Sequence, residues 1–427
     1  MNRQPPPRRR SARIAAAHGG GGGDTTLRER ILRRPDGYIG SPEKRSTQTF
    51  WINDGYYMVP REVTYRPGLH RIFDEVLVHA ASNKRRDPSM DTLSVEVDVV
   101  ERSVSVFYNG RGVVPVELVD EERGVYAPEM FFGHLHDDDE EDDQNKATND
   151  GGGGYGVKLA NLFSTEFIIE TADGCRMKKY KQVFSENMGK KSVPHITDCN
   201  QGENWTIITF KPDLARFNMT YLEEDHLTLM WKRVVDMAGI LGDSVQVEWD
   251  GVRLRINSFN DYVRLYIDSP VSDRSGAGFP RVYEKLNDWC EVCLSLSDDG
   301  HFQQVSFVNG FETLKGGTHV DYVTELITTH LMNLLNEHYE ECNFNVDDVK
   351  RYLWVFLNVI IDNPTFDSQT KETLTTPPGR LGSKLELPKS FSKIAFGNGL
   401  IRRLFGYRGP PGYRGPLDAK TGVSSRD

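Results

Sequence analysis

No apolar run in this 427-residue chain approaches the ~18–20 residues that a membrane-spanning helix needs, which excludes an integral helical membrane protein. Cysteine is scarce. Cys175, Cys199, Cys290, Cys293 and Cys342 are odd in number and scattered, so no disulfide framework is expected and a reducing compartment is implied. Excess positive charge is also lacking: a net charge of −10 argues against a protein that coats nucleic acid with its whole surface, though not against a local basic groove. Acid is missing from the first 23 residues, which hold five arginines and end in a glycine run. They read as a disordered basic tail of a nuclear or cytosolic protein. Arg-rich, acid-free starts also occur in mitochondrial transit peptides, but the Pro-rich opening suits an amphipathic helix poorly.

What is present is the composition of a soluble globular protein, 38% hydrophobic and 27% charged, with material for a sizeable core. The length predicts roughly two or three domains. Residues 1–24 are assigned to the tail, 25–268 to a first block of mixed strands and helices, and 269–400 to a second. Residues 401–427, with two copies of Gly-Tyr-Arg-Gly-Pro, are expected to be an irregular extension. In the second block Cys290, Val292, Leu294 and Leu296 alternate as in a strand. That sends Cys293 to the face opposite Cys290 and argues against a zinc or redox pair.

The stretch LHRIFDEVLVHAASNKRR predicts an amphipathic helix, with Leu69, Ile72, Phe73, Val76, Leu77 and Ala80 as its apolar stripe. LSVEVDVV, SVSVFYN, TEFIIET and WTIITFK read as strands, and strands backed by long helices make an α+β sandwich. Further on, HVDYVTELITTHLMNLL is expected to bury Val320, Val323, Ile327, Leu331 and Leu334. YLWVFLNVII reads as a strand covered on both faces, emptying into the polar loop DNPTFDSQTKE.

Three features carry candidate chemistry. Glu75, His79 and Asn83 fall at i, i+4 and i+8 on one stripe of the first helix. A carboxylate there suits deprotonation of a water, and a ligand one turn later suits Mg²⁺ between phosphates, although magnesium prefers oxygen to imidazole. The alternative is a solvated helix face. The turn in YNGRGV is tight enough for a ligand to approach the backbone, or is a plain hairpin turn. NDGGGGYGVK (Asn149–Lys158) leads into a helix-compatible stretch whose first N–H groups favour an anion, with Lys158 adding charge. It lacks the P-loop pattern, and glycine runs are as common in linkers.

In order and spacing these pieces resemble the N-terminal ATPase region of eukaryotic-type type II DNA topoisomerases, members of the gyrase/Hsp90/MutL-type ATPases. The strings that carry the resemblance include RPDGYIGS, TQTFWI, PGLHRIFDEVLVHAASNKRRDPSMDTL, YNGRGVVPVE, GVYAPEMFFGHL, GYGVKLANLFSTEF, LKGGTHVDYV and NPTFDSQTKETL, spread from about Leu27 to Gly399. The resemblance implies an α+β Bergerat-type ATPase sandwich in the first block, a mixed sheet backed by helices. A left-handed βαβ transducer would follow in the second. It implies Glu75 as general base and Lys371 as the transducer lysine that reaches the γ-phosphate. ATP would lie among His79, Asn83, Tyr108, Asn109, Gly110, Gly112, Gly151, Gly152, Gly153, Gly154, Tyr155, Gly156, Val157, Lys158, Gln369 and Thr370, with Mg²⁺ at the position of His79. The implied role is an ATP-gated homodimer clamp, closing through the N-terminal domain during DNA strand passage in the nucleus.

The chain departs from the family at several of these positions. His79 replaces the Mg²⁺-binding Asn, and Tyr108 replaces an Asn or Asp that helps read adenine. Asp138, Asp139 and Glu140 replace a Ser-Ser-Asn element that touches phosphate. Gly152 and Gly153 replace an arginine and an asparagine. Each lost charge-assisted bond is worth ~1.5–3 kcal/mol, so ATP binding is expected to weaken. The stretch NEHYEECNFNVDD, where the family has a lysine-rich loop facing DNA, is acidic. No EGDSA-type metal module and no DNA-cleaving tyrosine domain is present, so the chain alone is not expected to cut DNA. The competing expectation is a catalytically degenerate paralogue that serves as a dimerisation or regulatory module.

Overall fold

The computed structural model describes residues 26–43, 45–111, 114–135, 154–271, 278–297, 300–338 and 344–408. Gly112, Gly151, Gly152, Gly153, the Asp138–Glu140 triplet, Cys342 and the tail at 1–24 lie outside the described residues.

Alternation in SVSVFYN yields a strand, Ser103–Asn109, that buries Val104, Val106 and Tyr108, because residues two apart share a face. It lies inside a nine-stranded sheet. The order is His195–Asp198, Lys178–Ser185, Ser164–Asp173, Asn204–Pro212, Ser103–Asn109, Thr92–Asp98, Gln246–Trp249 and Val252–Arg253, with Lys190–Lys191 beside Lys178–Ser185. Thr92–Asp98 and Gln246–Trp249 run parallel, while the strands to either side pair antiparallel, so the sheet is mixed. The helices Pro67–Arg86, Tyr155–Leu162 and Glu224–Leu241 share one core with this sheet.

Pro67–Arg86 opens on a proline, whose missing N–H costs nothing at the first helical position. It closes on Lys84, Arg85 and Arg86, cations suited to the negative end of the helix dipole. Its apolar stripe is buried as the 3.6-residue period requires. Glu75, His79 and Asn83 are buried too, at 9%, 2% and 0% exposure. The solvated-face alternative is therefore excluded, and three polar side chains are held inside the molecule.

The second sheet runs Val282–Lys285, Cys290–Leu296, Leu353–Val359, Gln303–Val308, Phe311–Glu312. Leu353–Val359 is central and almost wholly buried, antiparallel to Cys290–Leu296 and parallel to Gln303–Val308. Parallel neighbours need a crossover, and the helix Thr318–His338 lies within it. On that helix Leu335, not Leu334, completes the buried stripe after Leu331, since the face advances by four residues there. Cys290 and Cys293 are both buried, and burial pushes each thiol up to about 12. Such thiols are poor nucleophiles and poor metal ligands.

Two further placements matter. Phe259–Ile267 contributes Phe259, Tyr262, Val263, Tyr266 and Ile267 to the core of the second sheet. The expected irregular extension begins instead as a helix, Leu400–Arg408, that buries Leu400, Ile401 and Leu404. Apolar residues at i, i+1 and i+4 give that segment a face to cover.

Candidate active site

The Glu75 carboxylate meets a different partner at each oxygen. Oε1 accepts a hydrogen bond from Arg71 Nη2, one turn earlier on the same helix, and lies 3.4 Å from Lys371 Nζ. Oε2 faces Gly156, where a Cβ would overlap the carboxylate. Only glycine lets the Tyr155–Leu162 helix begin against this group. Lys371 comes from the second block, 296 residues away in sequence. Its backbone is left-handed, with φ of 56°, an unusual conformation for a side chain of this size. Its N–H is fixed by Ser368 O at 3.1 Å.

Behind Glu75 lies a buried set of charges that spans both cores. Arg233, with no exposed surface, donates from Nε to Asp74 Oδ1 at 2.8 Å. It also donates from Nη1 to Asp236 Oδ2 at 2.9 Å and from Nη2 to Gly310 O at 2.7 Å. Lys232 Nζ reaches Asp236 Oδ2 at 2.8 Å and Glu312 Oε1 at 2.7 Å, and the Tyr262 hydroxyl donates to Asp236 Oδ1 at 2.8 Å. Burial alone would raise the Asp74 carboxyl, but the Arg233 and Arg71 guanidiniums hold it below the usual range. Burial pushes the Glu312 carboxyl up even with Lys232 beside it. Desolvated charges of this kind persist only when paired, so the contact between the two cores is tightly specified.

One turn beyond Glu75 the surroundings change. His79 Nε2 is 3.2 Å from the Tyr108 hydroxyl. The imidazole packs against Tyr108, Phe131 and Phe132 with ring centroids 5.9, 5.4 and 5.8 Å away. Burial pushes the Tyr108 phenol up, which keeps it neutral. Asn83 Nδ2 donates to Asn109 O at 3.1 Å, while Asn83 Oδ1 is buried without a hydrogen-bond partner among the described residues. The Asn109 side chain is engaged in the turn, accepting from the Asp91 and Thr92 N–H groups at 3.0 Å and donating to Asp91 Oδ1 at 2.7 Å. Gly110 has φ of 111°, and a Cβ there would lie 2.6 Å from Asp87 Oδ2. The turn therefore needs glycine whether or not a ligand approaches.

Gly154 starts the Tyr155–Leu162 helix in a left-handed conformation at φ of 71°. The helix thus begins at Tyr155, earlier than the apolar LANLF run suggests. Tyr155, Val157 and Lys158 lie in its first turns and are buried. Gln369 is half-buried and makes no side-chain hydrogen bond among the described residues, and the Thr370 hydroxyl pairs with Ser368 Oγ at 2.8 Å. The structure thus brings Glu75, Gly156 and Lys371 together, and groups His79, Tyr108, Asn83 and Asn109 beside them.

Magnesium does not fit His79 as a direct ligand: imidazole is a poor donor for it, and Nε2 is engaged with Tyr108. On this stripe Asn83 Oδ1 is buried and unpartnered among the described residues. Among the described residues no group of three or more His, Cys, Asp or Glu is placed to hold a metal ion.

A family model described as DNA gyrase B matches residues 258–392. The ATPase region of Saccharomyces cerevisiae topoisomerase II superposes with a TM-score of 0.76 at 40% sequence identity, over 90% of this chain and 98% of that one. The chain belongs to the type II DNA topoisomerases. The ATPase and transducer domains of the enzyme from Balamuthia mandrillaris match with a TM-score of 0.78 at 36% identity, over 93% and 98% of the two chains. DNA topoisomerase 2 of Arabidopsis thaliana is 55% identical over 379 residues, 89% of this chain but 26% of that protein. The chain therefore spans about a quarter of that full-length relative, the part that carries the ATPase and transducer fold. The family resemblance read from the sequence holds.

Several residues around Glu75 had escaped sequence reasoning. Arg71 had a usable signal, a cation four residues before a carboxylate on one helix. Arg233 and Asp236 had a similar one, three residues apart on one helix, but the pairing of Asp74 with Arg233 had none, because it depends on how two helices cross.

Proposed function

We propose that this chain is the ATP-binding and transducing portion of an ATP-dependent type II DNA topoisomerase. In this reading it is a clamp that closes as a homodimer through its N-terminal domain during DNA strand passage in the nucleus. Cutting and rejoining DNA belong to the remainder of a full-length enzyme. The observation that carries the reading is the meeting of Glu75 and Lys371 across the two cores, 3.4 Å apart.

Bound ATP supplies the phosphoanhydride whose hydrolysis resets the clamp. Glu75 acts as general base: Arg71 occupies Oε1, which leaves Oε2, the oxygen facing the phosphate loop, to take the proton of the attacking water. Gly156 gives that oxygen its room. The first N–H groups of the Tyr155–Leu162 helix point positive partial charge at phosphate. Lys371, in the loop that follows Leu353–Val359, reports to the second sheet whether a terminal phosphate is present, because its charge is satisfied by that group or by Glu75. Asn83 Oδ1 is the side-chain oxygen of the stripe that would face a magnesium ion bound with the nucleotide, which would neutralise phosphate charge.

Millimolar Mg²⁺ with a non-hydrolysable ATP analogue is expected to dimerise the protein in light scattering and to raise its melting temperature. Absence of both shifts sinks the reading.

A further inference from the structure

Phe311 belongs to the second sheet by chain but to the first core by packing. It forms the last turn-and-strand of a two-residue hairpin in which Val308 pairs with Phe311 across Asn309 and Gly310. Both turn residues have positive φ, 51° and 88°, the requirement of the tight turn that matches strand twist. The hairpin tip meets the first domain directly: a Cβ on Gly310 would lie 3.6 Å from both Val78 and Met237. Arg233 also binds Gly310 O. Phe311 itself is 5% exposed and is part of the first core.

Two cations share this ring. Lys371 Nζ is 3.9 Å from its centroid and the Arg71 guanidinium carbon 4.6 Å. Both also contact Glu75 Oε1. A cation over an aromatic face is held most strongly when it is desolvated, and Lys371 and Arg71 are 6% and 4% exposed. The ring is a neutral surface in this group, and it holds two like charges beside a single carboxylate oxygen.

We propose that Phe311 is a positioning residue for Lys371, an aromatic platform that keeps the lysine extended at the mouth of the phosphate site before nucleotide arrives. The lysine then exchanges Glu75 for a terminal phosphate without a search through rotamers, which is preorganisation of a γ-phosphate contact. Release of Lys371 also leaves Glu75 with Arg71 alone. This rests on the ATPase reading above, and it is specific in one respect: the platform favours triphosphate over diphosphate, because only the former offers Lys371 a partner.

The test compares Phe311→Leu with Phe311→Tyr, which keeps the aromatic face, using fluorescent ADP and a non-hydrolysable ATP analogue with Mg²⁺. Phe311→Leu is expected to weaken the triphosphate analogue about tenfold, leave ADP within about twofold, and lower kcat; Phe311→Tyr restores all three. Equal weakening of both nucleotides, or a tyrosine variant as impaired as the leucine variant, overturns the proposal in favour of simple packing. A nucleotide-free arm separates it from the parent reading: melting temperatures of Phe311→Leu, Lys371→Met and the double variant. Non-additive shifts support the platform even in a wild type that binds no nucleotide, whereas additive shifts overturn it.

Discussion

The two ends of the buried stripe on Pro67–Arg86 solve the same problem in opposite ways. At Glu75 the helix buries charge and satisfies it with charge: Arg71 from the same helix, Lys371 from the loop after Leu353–Val359, and the Asp74–Arg233–Asp236 set behind. At His79, one turn on, it buries neutral rings, with Tyr108, Phe131 and Phe132 closed around an imidazole. Ion pairs fix direction across a domain boundary, because a desolvated charge without its partner is costly. Aromatic packing fills volume and tolerates exchange among shapes of similar size. The proposed general base therefore sits at the end fixed by ion pairs, and the two departures from the family that lie among the described residues, His79 and Tyr108, sit at the aromatic end.

That division is open to attack, beginning with its strongest consequence. Glu75→Gln is expected to lower ATP turnover by ~10²–10⁴-fold, the usual worth of a general base, with analogue binding retained. Steady-state hydrolysis beside equilibrium binding checks this, and a comparable loss of binding would break the contrast. Asp236→Asn, which leaves Arg233, Lys232 and Tyr262 short of a partner, is expected to cost ~3–5 kcal/mol in urea unfolding. A loss below about 1 kcal/mol would mean that the buried charges behave like surface pairs.

The aromatic end predicts smaller changes of the other sign. His79→Asn supplies an amide oxygen in place of imidazole, and is expected to tighten Mg²⁺-dependent analogue binding about tenfold, roughly 1.4 kcal/mol. Calorimetry with and without Mg²⁺ reads this, and an unchanged ratio would show that position 79 does not face the metal. A last effect concerns protons. Burial holds His70 and His226 down to about 4 and His319 to about 3. Below pH ~6.5 the unfolded chain binds protons that the folded one refuses, so stability falls as pH drops from there toward 4. The upper bound is ~1.4 kcal/mol per pH unit for each histidine. His319→Asn is expected to flatten the slope of stability against pH by about a third, and an unchanged slope would mean that His319 is protonated in the fold.

Much was legible without coordinates. Period 3.6 marked the buried face of Pro67–Arg86, and period 2 marked Ser103–Asn109. A continuous apolar run marked Leu353–Val359 as a strand covered on both sides. These patterns are local, and burial of apolar surface enforces them wherever the segment docks. Motif order and spacing went further and reached the family, which the 55% identity over 379 residues bears out. The sequence also named Glu75 and Lys371, though only resemblance tied them together. Misreadings were local too: Leu334 for Leu335, and an irregular stretch in place of Leu400–Arg408, where a short apolar face was outvoted by the Gly-Pro-rich run beyond it.

What the tertiary structure alone decided is who faces whom. Nothing in the one-dimensional pattern says that Lys371 lies 3.4 Å from Glu75, or that Phe311 crosses from one core into the other. Nor does it say that His79 spends its Nε2 on Tyr108. Those contacts join residues tens to hundreds of positions apart, and their energies depend on desolvation and on angles set by the packing of whole elements. Sequence by itself determined the elements, their buried faces and the family. The division of one helix stripe into a charged end and an aromatic end came only with the fold, because the pairings across cores and the ring packing that make it are decided between elements.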